Sequence, residues 1–173
     1  MTKHARIEAY LPRLYGYTLS LAGNHHQAED LVQESALRAL KAKNIPSDEP
    51  AYRAWLFRIL KNVFVDQVRH KKILTVMDEK EKFVLETEFW QGDERLITIL
   101  TVKHAMAKLD RNQREIIALI DIAGFSYAET AQLLDVPVGT VMSRISRARR
   151  VLLEAVGASN IHEFPIKKQM EIE

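Results

Sequence analysis

The chain has 173 residues and a mass of 19.9 kDa, room for one ordinary domain or two small ones, and its 47% hydrophobic content suffices for buried cores. It contains no cysteine, which excludes disulfides, Cys-ligated zinc, iron–sulfur clusters and thiol catalysis. The net charge of +2 hides segregation. Residues 52–72 carry Arg53, Arg58, Lys61, Arg69, Lys71 and Lys72 against Asp66 alone, residues 136–153 carry Arg144, Arg147, Arg149 and Arg150 with no acid, and residues 78–94 are acidic. Two basic segments around an acidic one fit two nucleic-acid contacts; either basic run alone fits a solvated helix face equally well.

No stretch approaches the roughly 18 apolar residues that span a bilayer, and the first residues lack a signal pattern, so no membrane insertion and a cytoplasmic location are expected. Six glycines and five prolines, with no Gly-rich phosphate loop, favour an all-α chain without an obvious nucleotide site.

In chain order, apolar residues recur at helical spacing through Ile7, Leu11, Leu14 and Tyr15, then Leu31, Leu37 and Leu40, then Trp55, Leu56, Ile59, Leu60, Val63 and Val68. Breaks fall at Gly23-Asn24, where a helix starts over His25 to Asp30, and at Asn44 to Pro50. Val76 to Asp93 reads as a linker in which Phe89-Trp90 is either a partner anchor or local packing. A second helical unit begins near Glu94. Within it, Ile116 to Ala123 suits a buried helix better than a buried strand. The expected architecture is two small helical domains joined by a linker: a first domain at 1–72, an acidic linker at 73–93, a second domain at 94–155 and a tail at 156–173.

The most specific local signal starts at Gly124-Phe125-Ser126. Ser126 and Glu129 form a capping box, opening a short helix with Ala128, Ala131, Leu133 and Leu134 that ends at Asp135. Val136-Pro137-Val138 then turns the chain into a helix beginning near Gly139. Val141, Ile145, Ala148 and Leu152 share one face of that helix, and Thr140, Ser143, Arg144, Arg147 and Arg150 share the other. This is the spacing of a tri-helical helix-turn-helix, whose second helix enters a major groove with guanidinium forks for guanine or phosphate. A basic amphipathic helix can also be a plain surface helix or a partner-binding face.

These residues carry a family resemblance. Asp135-Val-Pro-Val-Gly-Thr-Val-Met-Ser-Arg-Ile-Ser-Arg-Ala-Arg150 resembles the region 4.2 helix-turn-helix of sigma-70 family initiation factors. Ala28-Glu-Asp-Leu-Val-Gln-Glu34 resembles region 2.2, and Trp55-Leu-Phe-Arg-Ile-Leu-Lys-Asn62 with Asp66 resembles regions 2.3 and 2.4. All three stand in the family's order and separations, without a region 3 domain between them, which is similar to the short extracytoplasmic-function (ECF) subgroup. The resemblance implies a promoter-specificity subunit that is not an enzyme and needs no cofactor or metal.

By the same resemblance, Glu29, Asp30, Gln33 and Glu34 dock on the β′ clamp helices of core RNA polymerase. The loop from about Lys43 to Tyr52 receives a flipped non-template base of the −10 element. Tyr52, Arg58, Lys61, Asn62, Asp66 and Arg69 are assigned to −10 DNA, for which aromatics beside basic and amide groups suit unpaired bases. Thr140, Ser143, Arg144, Arg147 and Arg150 are assigned to −35 DNA, and the second domain to the β flap. An anti-sigma factor is the implied regulator.

Trp55 is either core or a DNA contact. Met142 stands where members often carry a basic residue, Ser146 where they vary, and Asp110 where many have proline. His25, His26, Glu29 and Asp30 are an incomplete metal set or simply an exposed helix start. No catalytic constellation is present. A stand-alone helix-turn-helix regulator would leave the first domain idle, and a sigma-like decoy that titrates an anti-sigma factor would not need its arginine face.

Overall fold

A computed structural model describes residues 3–74 and 94–159; side chains are described for 3–70 and 101–157. The described residues form eight α-helices and no strand: α1 (Lys3–Glu8), α2 (Leu11–Ala22), α3 (His25–Lys41), α4 (Glu49–Leu74), α5 (Glu94–Lys108), α6 (Arg111–Ile117), α7 (Tyr127–Leu134) and α8 (Val138–Ser159). Helix α4 runs two residues into the expected linker and α8 runs four residues into the expected tail; the rest of both, with Phe89-Trp90, lies outside the described residues.

Local chemistry accounts for most boundaries. Pro12 in the first turn of α2 starts a new helix after Tyr10, so the apolar series from Ile7 to Tyr15 is split over two helices. Gly23 ends α2 in the left-handed region at φ 71°, and the Asn24 side chain caps α3 by accepting from the Gln27 N–H. Asp48 caps α4 through the Ala51 N–H at 3.0 Å. The helix therefore includes Glu49 and Pro50, which the proline had suggested leaving in the loop; a first-turn proline gives up an N–H that has no intrahelical partner anyway. Asp110 and Gln113 build a capping box on α6, so an aspartate at the position where the resemblance implies a frequent proline starts the helix.

Between Ala118 and Ile122 the helix widens into a π turn, closed by the Ala123 N–H to the Ala118 carbonyl at 2.8 Å. Four consecutive residues, Ile116 to Leu119, are buried here. Ile116 and Ile117 fill the second domain's own core with Met106, Leu109, Val141, Ile145 and Ala148, whereas Ala118 and Leu119 enter the core of the first domain. A helix wedged between two cores needs apolar residues on more than one face, which is why this stretch also looked like a buried strand.

The first core joins both domains. Leu14, Tyr17, Leu31, Leu56, Phe57 and Leu60 from α2, α3 and α4 pack with Ala118, Leu119 and Phe125. Phe57 meets Phe125 edge-on at 4.9 Å, and α2 lies against both α6 and the π turn. Gly16 permits that approach, because a Cβ there would sit 2.9 Å from Ile122 Cγ2. Burial of aromatic rings of this kind contributes about 2–3 kcal/mol each. The two domains are thus in direct contact as well as connected in sequence.

Candidate nucleic-acid interface

The helix-turn-helix is built as its sequence requires. Ser126 accepts from the Glu129 N–H at 3.2 Å while the Glu129 carboxylate accepts from the Ser126 N–H at 2.8 Å, which starts α7. Asp135 ends it in the left-handed region at φ 54°, and Val136 packs against the second core. Helix α8 begins at Val138, one residue before the expected start, and is pinned by Val141, Ile145 and Ala148, all buried. Ser143, Arg147 and Arg150 are exposed; Thr140 and Arg144 are half-buried beside them. Arg144 and Arg147 share a shallow cleft of about 170 Å³ with Asp110, Asn112 and Gln113. All five residues assigned to −35 DNA therefore lie on the free side of α8. Arg149 does not belong with them, since its guanidinium is 2.5 Å from Asp121 and fastens α8 to the π turn. Met142, 53% exposed, stands on the accessible surface.

On α4 the assigned residues divide. Arg58, Asn62 and Arg69 are exposed, and their spacing puts them on one helix face. Asp66 is half-buried and lies 3.6 Å from Arg38 of α3. Tyr52 departs from the expectation: it is 2% exposed, packed at 5.9 Å from Tyr10 and 5.5 Å from Trp55, with the Arg6 guanidinium 3.8 Å from its ring centre. A ring so enclosed cannot stack on a base. Aromatic residues at helical spacing fill cores as readily as they meet nucleobases, and here packing wins. Trp55 is half-buried against the same core.

Lys61 is also held, its ammonium 3.2 Å from Glu115. It belongs to a stripe on α4 that faces the second domain: Arg53 reaches Glu129 at 2.5 Å, Phe57 meets Phe125, Lys61 meets Glu115, and Phe64 receives Arg111 at 4.9 Å. Glu115 also accepts from the Tyr17 hydroxyl at 3.3 Å; burial, with that carboxylate beside it, holds Tyr17 well above the usual phenol range. Glu129 serves two masters. Burial would raise its pKa, but the Ser126 N–H and hydroxyl and the Arg53 guanidinium outweigh that and hold it below 4.5. The sequence reading missed this stripe, whose partners lie 47 to 76 residues apart.

On α3, Glu29, Asp30 and Gln33 are exposed, while Glu34 is half-buried and paired to Arg38 at 2.7 Å. The first three form an open acidic and amide surface; Glu34 is its internally satisfied edge. His25 Nδ1 is 2.6 Å from the Tyr15 hydroxyl, and among the described residues no three His, Asp or Glu side chains gather as metal ligands. No described helix is long and apolar enough to cross a membrane.

Comparison with known proteins assigns this arrangement to a class. Residues 6–73 match the family pattern of sigma-70 region 2, and residues 99–152 that of sigma-70 region 4. The chain is 36% identical over 160 residues to the ECF RNA polymerase sigma factor EcfG of Rhodopseudomonas palustris, covering 91% of this chain and 87% of that one. It is 35% identical over 129 residues to the ECF RNA polymerase sigma factor SigC of Mycobacterium tuberculosis, covering 73% and 68%. The sigma factor RpoE, solved with the anti-sigma factor NepR from Bartonella quintana, superposes with a TM-score of 0.72 at 32% identity over 89% of this chain and 96% of that one. The chain belongs to the ECF group of sigma-70 family RNA polymerase sigma factors. Members of this family are transcription initiation factors and not enzymes. Neither matched region holds half of the chain, so a TM-score of 0.72 requires both to superpose together.

Proposed function

We propose that this chain binds core RNA polymerase in the cytoplasm and gives it promoter specificity, with α4 meeting the −10 element and α8 the −35 element. The observation that carries the reading is the pairing of two exposed polar and cationic faces on separate domains: Arg58, Asn62 and Arg69 on α4, and Arg147 and Arg150 on α8 with Arg144 half-buried beside them. Each face suits its target. The α8 face presents guanidinium forks and hydroxyls to a duplex groove, and the α4 face presents cations and an amide to a melted strand. The exposed surface of Glu29, Asp30 and Gln33, with Glu34 at its edge, fits the β′ clamp helices, and the second domain fits the β flap.

The interdomain stripe supplies the regulatory half. Lys61, assigned to −10 DNA, is neutralised by Glu115 while the domains touch, so promoter engagement by that cation requires their separation. An anti-sigma factor would hold the closed arrangement. The superposition with a sigma factor bound to its anti-sigma factor supports this reading, because both matched regions align at once.

The test is co-elution of the chain with core polymerase, followed by permanganate footprinting of thymines on a duplex carrying −35 and −10 elements. Co-elution and reactive thymines confined to the −10 region are expected. An Asp30→Arg, Gln33→Arg variant that co-elutes unchanged would remove the docking assignment, and a footprint identical with and without the chain would remove the melting role.

A further inference from the structure

Arg6, on the short first helix, makes an unusually concentrated set of contacts with the segment between α3 and α4. Its Nη1 donates to the Pro46 carbonyl at 2.8 Å, its Nη2 donates to the Ser47 and Asp48 carbonyls at 3.0 and 3.3 Å, and its Nε and Nη2 both reach Glu49 Oε2, at 3.0 and 2.8 Å. The guanidinium plane also lies over Tyr52. The other Glu49 oxygen accepts from Tyr10 at 2.7 Å; burial, then that carboxylate, push the Tyr10 hydroxyl up to about 12, so it remains a donor at neutral pH. Three successive backbone carbonyls are thus gathered on one cation whose side chain is only 17% exposed.

The arrangement leaves the segment with a fixed backbone and an open lip. Ile45 is anchored against the core from inside and Asp48 is committed to capping α4, while Lys43, Asn44 and Ser47 stay exposed. Carbonyls in a loop of seven residues, 42–48, ordinarily turn to water and sample many conformations. A guanidinium donating in several fixed directions selects one of them, which a lysine ammonium, a point charge on a flexible stem, does not do. Such a loop has paid its ordering entropy before any ligand arrives.

We propose that Arg6 is a positioning residue for −10 recognition: it pre-shapes the 42–48 loop so that a flipped promoter base meets a formed surface. The inference rests on the assignment of this loop to −10 DNA made above. Arg6 itself touches no base. Its guanidinium is spent on the loop, and it acts through the conformation it imposes.

Two measurements test this. The first is hydrogen exchange on the full chain. Arg6→Ala and Arg6→Lys should both speed exchange across residues 43–52 and leave α2 and the core of α3 unchanged; equal protection in wild type and both variants overturns the proposal. The second is binding of the holoenzyme to fork-junction DNA carrying each of the four bases at every non-template −10 position. Arg6→Ala should reduce base discrimination about tenfold at the position the loop receives, with −35 preference intact, and Arg6→Lys should reduce it similarly. Full discrimination with Arg6→Lys would show that charge alone suffices, and equal losses at −10 and −35 would reveal general damage; either result overturns the proposal. Should Arg6→Ala fail to fold, Arg6→Lys carries both measurements. Absence of discrimination in the wild type would instead remove the −10 assignment, while hydrogen exchange would still decide whether Arg6 holds the loop.

Discussion

The Lys61 ammonium lies 3.2 Å from the Glu115 carboxylate, which joins a cation of α4 in the first domain to an acid of the second domain. Both side chains are largely shielded, at 26% and 19% exposure, so solvent screens the pair less than it would a surface bridge. Glu115→Lys removes an attraction worth about 1 kcal/mol and adds a repulsion of similar size, enough to shift the closed–open balance roughly 30-fold. The absence of native cysteine makes this measurable, since cysteines replacing His26 and Gln132 can carry a fluorescent donor and acceptor without background labelling. Transfer efficiency should fall in the Glu115→Lys chain, and an unchanged value would show that the pair does not hold the domains.

Acid should loosen a second contact between the domains, that of Glu129 with Arg53. Its pKa is depressed in the folded chain, so its ionisation contributes stability that is present above the ordinary value of 4.5 and is lost as pH falls through the lower folded value. Energy transfer between the two probes should therefore decrease as pH drops below 4.5, and Glu129→Gln should remove that part of the profile. An identical acid transition in the variant would assign it to other carboxylates.

Gly16 offers a steric test. Alanine in a helix interior is ordinarily worth about 1 kcal/mol over glycine, but here its methyl would press on Ile122 Cγ2 at 2.9 Å. Gly16→Ala should be neutral or destabilising by about 1 kcal/mol alone, and stabilising by about 1 kcal/mol in an Ile122→Ala background. Thermal denaturation of the four chains of this cycle measures the coupling. Additive effects would mean that α2 and the π turn do not touch in solution.

Local grammar made the second domain readable. The Ser126–Glu129 capping box, the turn at Val136 and the spacing of Val141, Ile145 and Ala148 each determine a feature within a few residues, and each stands where the sequence suggested. What escaped reading depends on distance along the chain. Nothing near Phe57 announces Phe125, nothing near Lys61 announces Glu115, and the hold of Arg6 on the carbonyls of residues 46–48 leaves no mark in side-chain chemistry. Tyr52 shows the complementary difficulty. An aromatic next to an arginine serves a core as well as a nucleobase, and only its 2% exposure decides between them.

The two arginines of the α8 face should separate base reading from backbone attraction. Arg147 lines the cleft with Arg144, and Arg147→Ala should cost about 1–3 kcal/mol on the preferred −35 sequence and relax choice at one position. Arg150, exposed one turn further along, is expected to meet phosphate; its alanine variant should weaken all sequences alike and lower the salt slope by about 1. Equal and uniform losses in both variants would contradict this orientation of the helix.

The most direct test of the account is run-off transcription by purified core polymerase on a promoter library, with and without this chain. The account predicts that adding the chain produces transcripts with defined starts, drawn from templates that share one −35 and one −10 sequence at constant separation. It predicts further that Arg147→Ala broadens the first of these and Arg6→Ala the second. Transcript starts that are the same with and without the chain would contradict it.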